Sequence, residues 1–196
     1  MTNLMRKSVF WGGAAVALTS FAAALFVVAD PSMGIGGGMA RAAQPVAAPK
    51  KHHPVEIQGP LLGGGHLNTR KWRGKVVIVD FWGTWCPWCR KQAPYIAHLY
   101  TKYRRHGLRV VGVPVFSTVA DLKKYGKQHP NESWPQIFGK KIPNTALAQA
   151  FGITGFPTEF IIDRQGILRH VLIGYSPRTL AKDVQKLLAK HAKAHG

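Results

Sequence analysis

The sequence predicts an α/β fold, a sandwich in which a mixed central sheet is flanked by helices. The first sign is residues 76–81, Val76-Val77-Ile78-Val79-Asp80-Phe81, an apolar, β-branched run of the kind a strand shows when both faces are covered. A helix-spaced pattern follows, with Ala93, Ile96, Leu99, Tyr100 and Tyr103 on one face, and then a second β-branched run at residues 109–115. Near the other end, residues 159–162 and 167–173 read as strands joined by Asp163-Arg164-Gln165-Gly166, a hairpin signal, before a helix opened by Ser176-Pro177. Strand-helix-strand at the front and hairpin plus helix at the back place parallel and antiparallel pairs in one sheet.

The N-terminal segment has a different character. Arg6 and Lys7 precede residues 10–29, an uncharged stretch rich in Ala, Val, Leu and Phe. Positive residues followed by such a run keep the N-terminus inside and send the following chain across the membrane. Ala40-Arg41-Ala42 fits a small-x-small cleavage site, whereas the length of the apolar run fits a retained span. Residues 1–42 are therefore expected to be a signal peptide or a membrane anchor. Residues 43–65 contain Pro45, Pro49, Lys50-Lys51, His52-His53 and Gly63-Gly64-Gly65, and are expected to be a flexible linker. The folded domain is then residues 66–196.

Within that domain Pro94 is expected to kink the first helix, and Gly107 to stop it. Ser117 or Thr118 can cap a helix running through Leu122 and Tyr125. Residues 131–143 read as irregular and 144–151 as a short helix. In the last helix Leu180, Val184, Leu187, Leu188 and His191 share a stripe that Lys182, Lys186 and Lys190 avoid.

Charge narrows the partners. The chain has 27 Lys and Arg against 8 Asp and Glu, a net +19, which favours acidic proteins or an anionic membrane surface. Nucleic acid is disfavoured, because the basic residues are spread along the chain and form no run interleaved with stacking aromatics.

The chemistry is concentrated in Cys86 and Cys89, the only cysteines. They sit directly after a buried strand, where a helix begins. Unpaired backbone N–H groups and the positive end of the helix dipole stabilise a thiolate there, so the first cysteine should titrate below the free value of about 8.5. The second lies one turn inside, within reach of a mixed disulfide formed by the first. Cys86 is expected to be accessible and Cys89 shielded. Zinc would need two further ligands at suitable spacing, and no second CxxC exists. Covalent haem would need His at position 90, which is Arg. A purely structural disulfide over two intervening residues would restrain little chain entropy.

From Trp72 to Leu188 the chain resembles the TlpA/ResA-like branch of the thioredoxin superfamily. The residues carrying the resemblance are Arg73-Gly74-Lys75, the strand ending in Asp80-Phe81, then Trp82-Gly83-Thr84-Trp85-Cys86-Pro87-Trp88-Cys89, and later Gly155-Phe156-Pro157-Thr158 followed by Phe160-Ile161-Ile162-Asp163-Arg164-Gln165-Gly166. The resemblance implies a thioredoxin-like sandwich. It also implies an extracytoplasmic thiol-disulfide oxidoreductase that keeps thiols reduced on the periplasmic side of the bacterial inner membrane, often in cytochrome c maturation. Its implied partners are protein disulfides, a membrane thiol donor, and apocytochrome c or its maturation factors. No cofactor is implied beyond the redox-active Cys86–Cys89 disulfide.

The resemblance also assigns residues. Pro157 takes the place of the cis proline that faces the disulfide, with the Phe156 backbone presented to an extended substrate and Thr158 beside it. Trp85, Pro87 and Trp88 surround the thiols as an apolar contact surface, while Trp82 belongs to the core. Asp80, six residues before Cys86, takes the place of the buried acid that exchanges a proton with the second cysteine, and burial should raise its pKa. Relatives usually carry Glu three residues after the second cysteine. This chain has Gln92, which cannot take a proton, so the acid role shifts to Asp80. Residues 109–115 offer no Lys to pair with it.

The expected mechanism starts with attack by the Cys86 thiolate on a substrate disulfide, followed by resolution by Cys89 with Asp80 as proton acceptor. The direction of exchange is left open by Pro-Trp between the cysteines. The alternative is a membrane-tethered binding or chaperone module on the same scaffold, without redox turnover. His98, His106 and His129 read as surface residues.

Overall fold

β3 (Val76–Trp82) is buried along its whole length, and the rest of the sheet is laid on either side of it. β4 (Leu108–Pro114) pairs with it in parallel, from Val76↔Leu108 to Trp82↔Pro114. β5 (Thr158–Ile162) pairs on the other side, antiparallel, from Val77↔Ile162 to Phe81↔Thr158. β6 (Leu168–Ile173) completes the order β4-β3-β5-β6 as the antiparallel partner of β5. The mixed sheet predicted from the sequence is therefore present. This computed structural model describes residues 48–139 and 144–190.

Alternation along the strands builds two cores. Val77, Val79 and Phe81 face one side, where they meet Val111, Val113, Phe160 and Ile162. Val76 and Ile78 face the other, against Ile96 and Leu99 of α1 (Pro87–Tyr103) and Leu180, Val184 and Leu187 of α4 (Pro177–Ala189). Burying such a side chain contributes about 1.5–3 kcal/mol. α1 runs on through Pro94, and Gly107, at φ 97, turns the chain into β4.

α2 (Val119–Gln128) starts at Thr118, whose hydroxyl accepts from the Asp121 N–H at 3.1 Å while the Asp121 carboxylate accepts from the Thr118 N–H at 3.3 Å. This reciprocal box decides between the two candidate caps, Ser117 and Thr118. α3 (Thr145–Ala150) is the expected short helix.

The linker expected at residues 43–65 has to be shortened. Val55 and Ile57 are buried, β1 (Gln58–Pro60) pairs antiparallel with β2 (His66–Asn68), and the Ile57 N–H donates to Thr69 Oγ1 at 3.0 Å. Composition suggested a tether because of Pro45, Pro49, Lys50-Lys51 and His52-His53, running up to the turn-rich glycines 63–65. These glycines form the bend of a hairpin instead, with Gly64 and Gly65 at φ 95 and 83, where a side chain would be strained. The leader and anchor expected in residues 1–42 lie outside the described residues. Among the described residues no helix is long and apolar enough to cross a membrane.

Gly126 is exposed in the last turn of α2, and a Cβ placed on it meets nothing within 4 Å. Gly126→Ala should therefore raise stability by about 0.5–1 kcal/mol through helix propensity. A urea midpoint no higher than the parent's would contradict this.

Candidate active site

Cys86 and Cys89 are joined as a disulfide at the start of α1. Cys86 is the N-cap residue in extended conformation, and its Sγ accepts from the Cys89 N–H at 3.1 Å. Pro87 occupies the first turn, where its missing N–H costs nothing. The first cysteine thus lies on the positive end of a helix of 17 residues. Exposure does not separate the two sulfurs as expected. Cys86 is 2% and Cys89 3% exposed, because both pack with Trp82, Leu122, Tyr125 and Phe138, with Phe156 against the cluster. Burial in the disulfide form favours neither cysteine, whereas the helix terminus favours Cys86.

The rim is aromatic. Trp85 and Trp88 are 49% and 52% exposed, and Pro87 is exposed between them. Trp85 is fixed by an indole N–H bond to the Val115 carbonyl at 3.0 Å, over Gly83, where a Cβ would collide with the ring. Its ring lies edge-on to Phe156 at 5.4 Å and near Phe116 at 6.4 Å. On the opposite side Trp88 packs with Tyr175 at 5.6 Å and carries the Lys91 ammonium 4.5 Å above its ring. Trp82 is in the core, with its indole N–H on Gln136 Oε1 at 3.0 Å.

The Phe156–Pro157 bond is cis, and Phe156 is half-buried. Thr158 departs from its expected place on the substrate-contact surface. It is 1% exposed and its hydroxyl donates to the Gly155 carbonyl at 2.7 Å, so it holds the loop from below. Pro157 is buried as well.

A group of acids lies behind the cysteine cluster: Trp82, Leu122 and Tyr125, which pack with both cysteines, also line the cavity that holds Asp80 and Glu132. Asp80 is 4% exposed, and burial, reinforced by the charge of Glu132, pushes its pKa up to about 7. Directly opposite on β5 stands Glu159, fully buried, which desolvation and the neighbouring Asp80 push up to about 9. Gln92 bridges this acid to the helix. Its amide N–H donates to Glu159 Oε1 at 2.8 Å, and its carbonyl accepts from the Ser176 N–H at 3.1 Å. Cys89 and Ala93 are one turn apart on the inner face of α1, and Ala93 shares a cavity with Asp80 and Glu132.

Sequence reasoning missed Glu159, Glu132, Phe116 and Tyr175. A Glu inside the strand run 159–162 was itself a signal, since a carboxylate is costly there unless neutral or paired. Phe116 and Tyr175 lie far from the cysteines in sequence and gave none. His129 is less free than expected, stacked on Tyr125 at 4.1 Å and 3.6 Å from Glu132.

A family model described as Redoxin matches residues 49–189. The chain belongs to the Redoxin family. Among curated relatives, the thiol-disulfide oxidoreductase ResA of a Bacillus cereus strain is 31% identical over 113 residues, covering 58% of this chain and 63% of that protein. The chain thus spans about three-fifths of the length of that relative. Among solved structures, a thiol:disulfide interchange protein DsbE from Chlorobium tepidum superposes with TM-score 0.64 at 26% identity, over 72% of this chain and 99% of that one. The thioredoxin domain of a thiol-disulfide oxidoreductase from Bacteroides vulgatus gives 0.60 at 27% identity, over 69% and 98%. These Redoxin-family matches bear out the ResA-like resemblance and the thioredoxin-like fold.

Proposed function

We propose that the chain is a thiol-disulfide oxidoreductase that exchanges its Cys86–Cys89 disulfide with protein substrates, working outside the cytoplasm as a reductant. The observation that carries this reading is a CxxC pair at the start of a long helix, ringed by exposed aromatics, whose packing partners Trp82, Leu122 and Tyr125 also line the cavity of the buried Asp80. Reduced Cys86 attacks a substrate disulfide as thiolate, forming a mixed disulfide and releasing one substrate sulfur. Cys89 then gives its proton to Asp80 and attacks Cys86 Sγ, the second substrate sulfur leaves, and the enzyme ends as the disulfide. Trp85, Pro87, Trp88 and Phe156 supply the surface on which an extended substrate rests, with Pro157 and Thr158 shaping the loop beneath. The names of the ResA and DsbE relatives support thiol-disulfide chemistry. The basic leader pattern of residues 1–42 supports delivery to the periplasmic side, where a membrane thiol donor would re-reduce the pair and apocytochrome c is a candidate substrate.

Insulin reduction in the presence of a thiol donor tests the activity, and Cys89→Ser expressed in cells tests the partners. Accelerated insulin precipitation, together with Cys86-linked adducts in the variant, is the expected result. Absence of both would favour a binding module on the same scaffold.

A further inference from the structure

Asp80 is buried, so a proton it takes from Cys89 has to leave through the protein. Beside it lies a cavity of about 110 Å³ lined by Asp80, Trp82, Ala93, Tyr125, Glu132 and Trp134, among others, and reaching the exposed Gly126. Asp80 Oδ1, the Tyr125 hydroxyl and Trp134 Nε1 are buried there with no protein atom in hydrogen-bond geometry, although the Tyr125 hydroxyl lies near enough to Glu132 to lower its pKa. Left dry, each such group would carry the full cost of its desolvation. A site of this size, into which buried donors and an acceptor open, meets the requirements for internal water. On its far side the Glu132 carboxylate, 9% exposed, stands 3.6 Å from Nδ1 of His129, whose side chain is 39% exposed.

We propose that this cavity is the proton outlet of the active site: internal water held by Asp80, Tyr125 and Trp134 passes the proton to Glu132, and the Glu132–His129 pair delivers it to solvent. This rests on the reading of Asp80 as the base for Cys89. In the resolving step the Cys89 S–H bond breaks and its proton goes to the Asp80 carboxylate. The Cys89–Cys86 S–S bond forms as the Cys86–substrate S–S bond breaks, and the substrate sulfur leaves with the electron pair. Asp80 then gives its proton to the adjacent water, which passes one on to Glu132.

The groups around Asp80 leave no other route among the described residues. Glu159, opposite on β5, is held by Gln92 through Oε1 alone, but its unpartnered Oε2 is as buried as the rest of the side chain, so it gives a proton no way to solvent. On β4 the facing residue is the uncharged Gly112. From α2 comes Tyr125, which burial and the Glu132 charge hold protonated, with Arg90 of α1 acting weakly the other way. Glu132 itself is raised by desolvation and lowered by Tyr125 and His129, as suits a transient proton carrier.

The experiment is steady-state insulin reduction by the full-length protein in weak buffer, with Glu132→Gln, Glu132→Asp, Trp134→Phe and Asp80→Asn compared. Glu132→Gln should turn over roughly tenfold more slowly, less than the loss of a direct acid-base group because bulk water can replace a relay. Added imidazole should restore it, Glu132→Asp should keep most of the rate, and Glu132→Gln should add nothing in an Asp80→Asn background. Trp134→Phe, which loses one water-holding donor, should slow turnover in the same buffer-dependent way even if Glu132→Gln fails to fold. Wild-type rates in Glu132→Gln and Trp134→Phe at every buffer concentration, with Asp80→Asn still slow, would overturn the outlet alone. A fast Asp80→Asn would overturn the Asp80 reading and the outlet with it.

Discussion

Replacing Cys86 with Ser is expected to reduce insulin reduction to the uncatalysed background while leaving the fold almost untouched. The two halves of that expectation have separate physical causes. A Ser hydroxyl is not ionised at neutral pH even at a helix N-terminus, so the nucleophile is lost. Ser is nevertheless among the best N-cap residues, and its oxygen can accept the Cys89 N–H that Sγ now accepts. The lost disulfide encloses only Pro87 and Trp88, and so little unfolded-chain entropy. The urea midpoint of Cys86→Ser should therefore lie close to that of the reduced parent. A large fall in midpoint would make the loss of activity uninformative, and residual turnover in a folded variant would remove Cys86 as nucleophile.

Replacing Asp80 with Asn should slow resolution of the mixed disulfide about 10²-fold or more, the lower end for loss of an acid-base group, and should stabilise the fold at alkaline pH. The sign follows from the raised pKa. In the unfolded chain Asp80 ionises near its ordinary value of 3.8, but in the folded protein it holds its proton to about 7. Between these values the folded state binds more protons, so the parent loses stability as pH rises from about 4 to 7 and loses no more above that. Below pH 4 both states are protonated and the cost vanishes. Asn carries no such penalty, so its advantage should be about 1–3 kcal/mol at pH 8, discounted from the full linkage value for the amide left buried. It should shrink toward zero at pH 4. Urea midpoints at the two pH values and stopped-flow resolution of a preformed mixed disulfide check both parts. An unchanged resolution rate would exclude Asp80 as the base.

Much of this arrangement was legible in the sequence because local chemistry and tertiary position agree. The run from Val76 to Phe81 read as a covered strand, and the CxxC that follows it read as the start of a helix. Asp80 was conspicuous as a carboxylate in an apolar run. The misses have a common origin in long-range packing. Glu159 becomes the neighbour of Asp80 only through the β3–β5 register, and Gln92 becomes its holder only when α1 lies across β5. The substitution of Gln for the usual Glu after the second cysteine looked like a lost acid, yet the structure returns a carboxylate to the same neighbourhood from another strand. The first hairpin was read as tether because Pro45, Pro49, Lys50-Lys51 and His52-His53 run up to the turn-rich glycines 63–65, and such composition is shared by linkers and tight turns. Only the burial of Val55 and Ile57 separates the two.

The division of labour between the cysteines is the centre of this account, and alkylation of the reduced protein across pH, with each site followed by mass spectrometry, tests it most directly. The disulfide form buries both residues to nearly the same degree, 2% and 3%, so exposure in that form favours neither site. The helix terminus predicts fast modification of Cys86 with a midpoint below the free value of about 8.5, and slow modification of Cys89. Equal rates, or a faster Cys89, would contradict the assignment of nucleophile and resolving thiol.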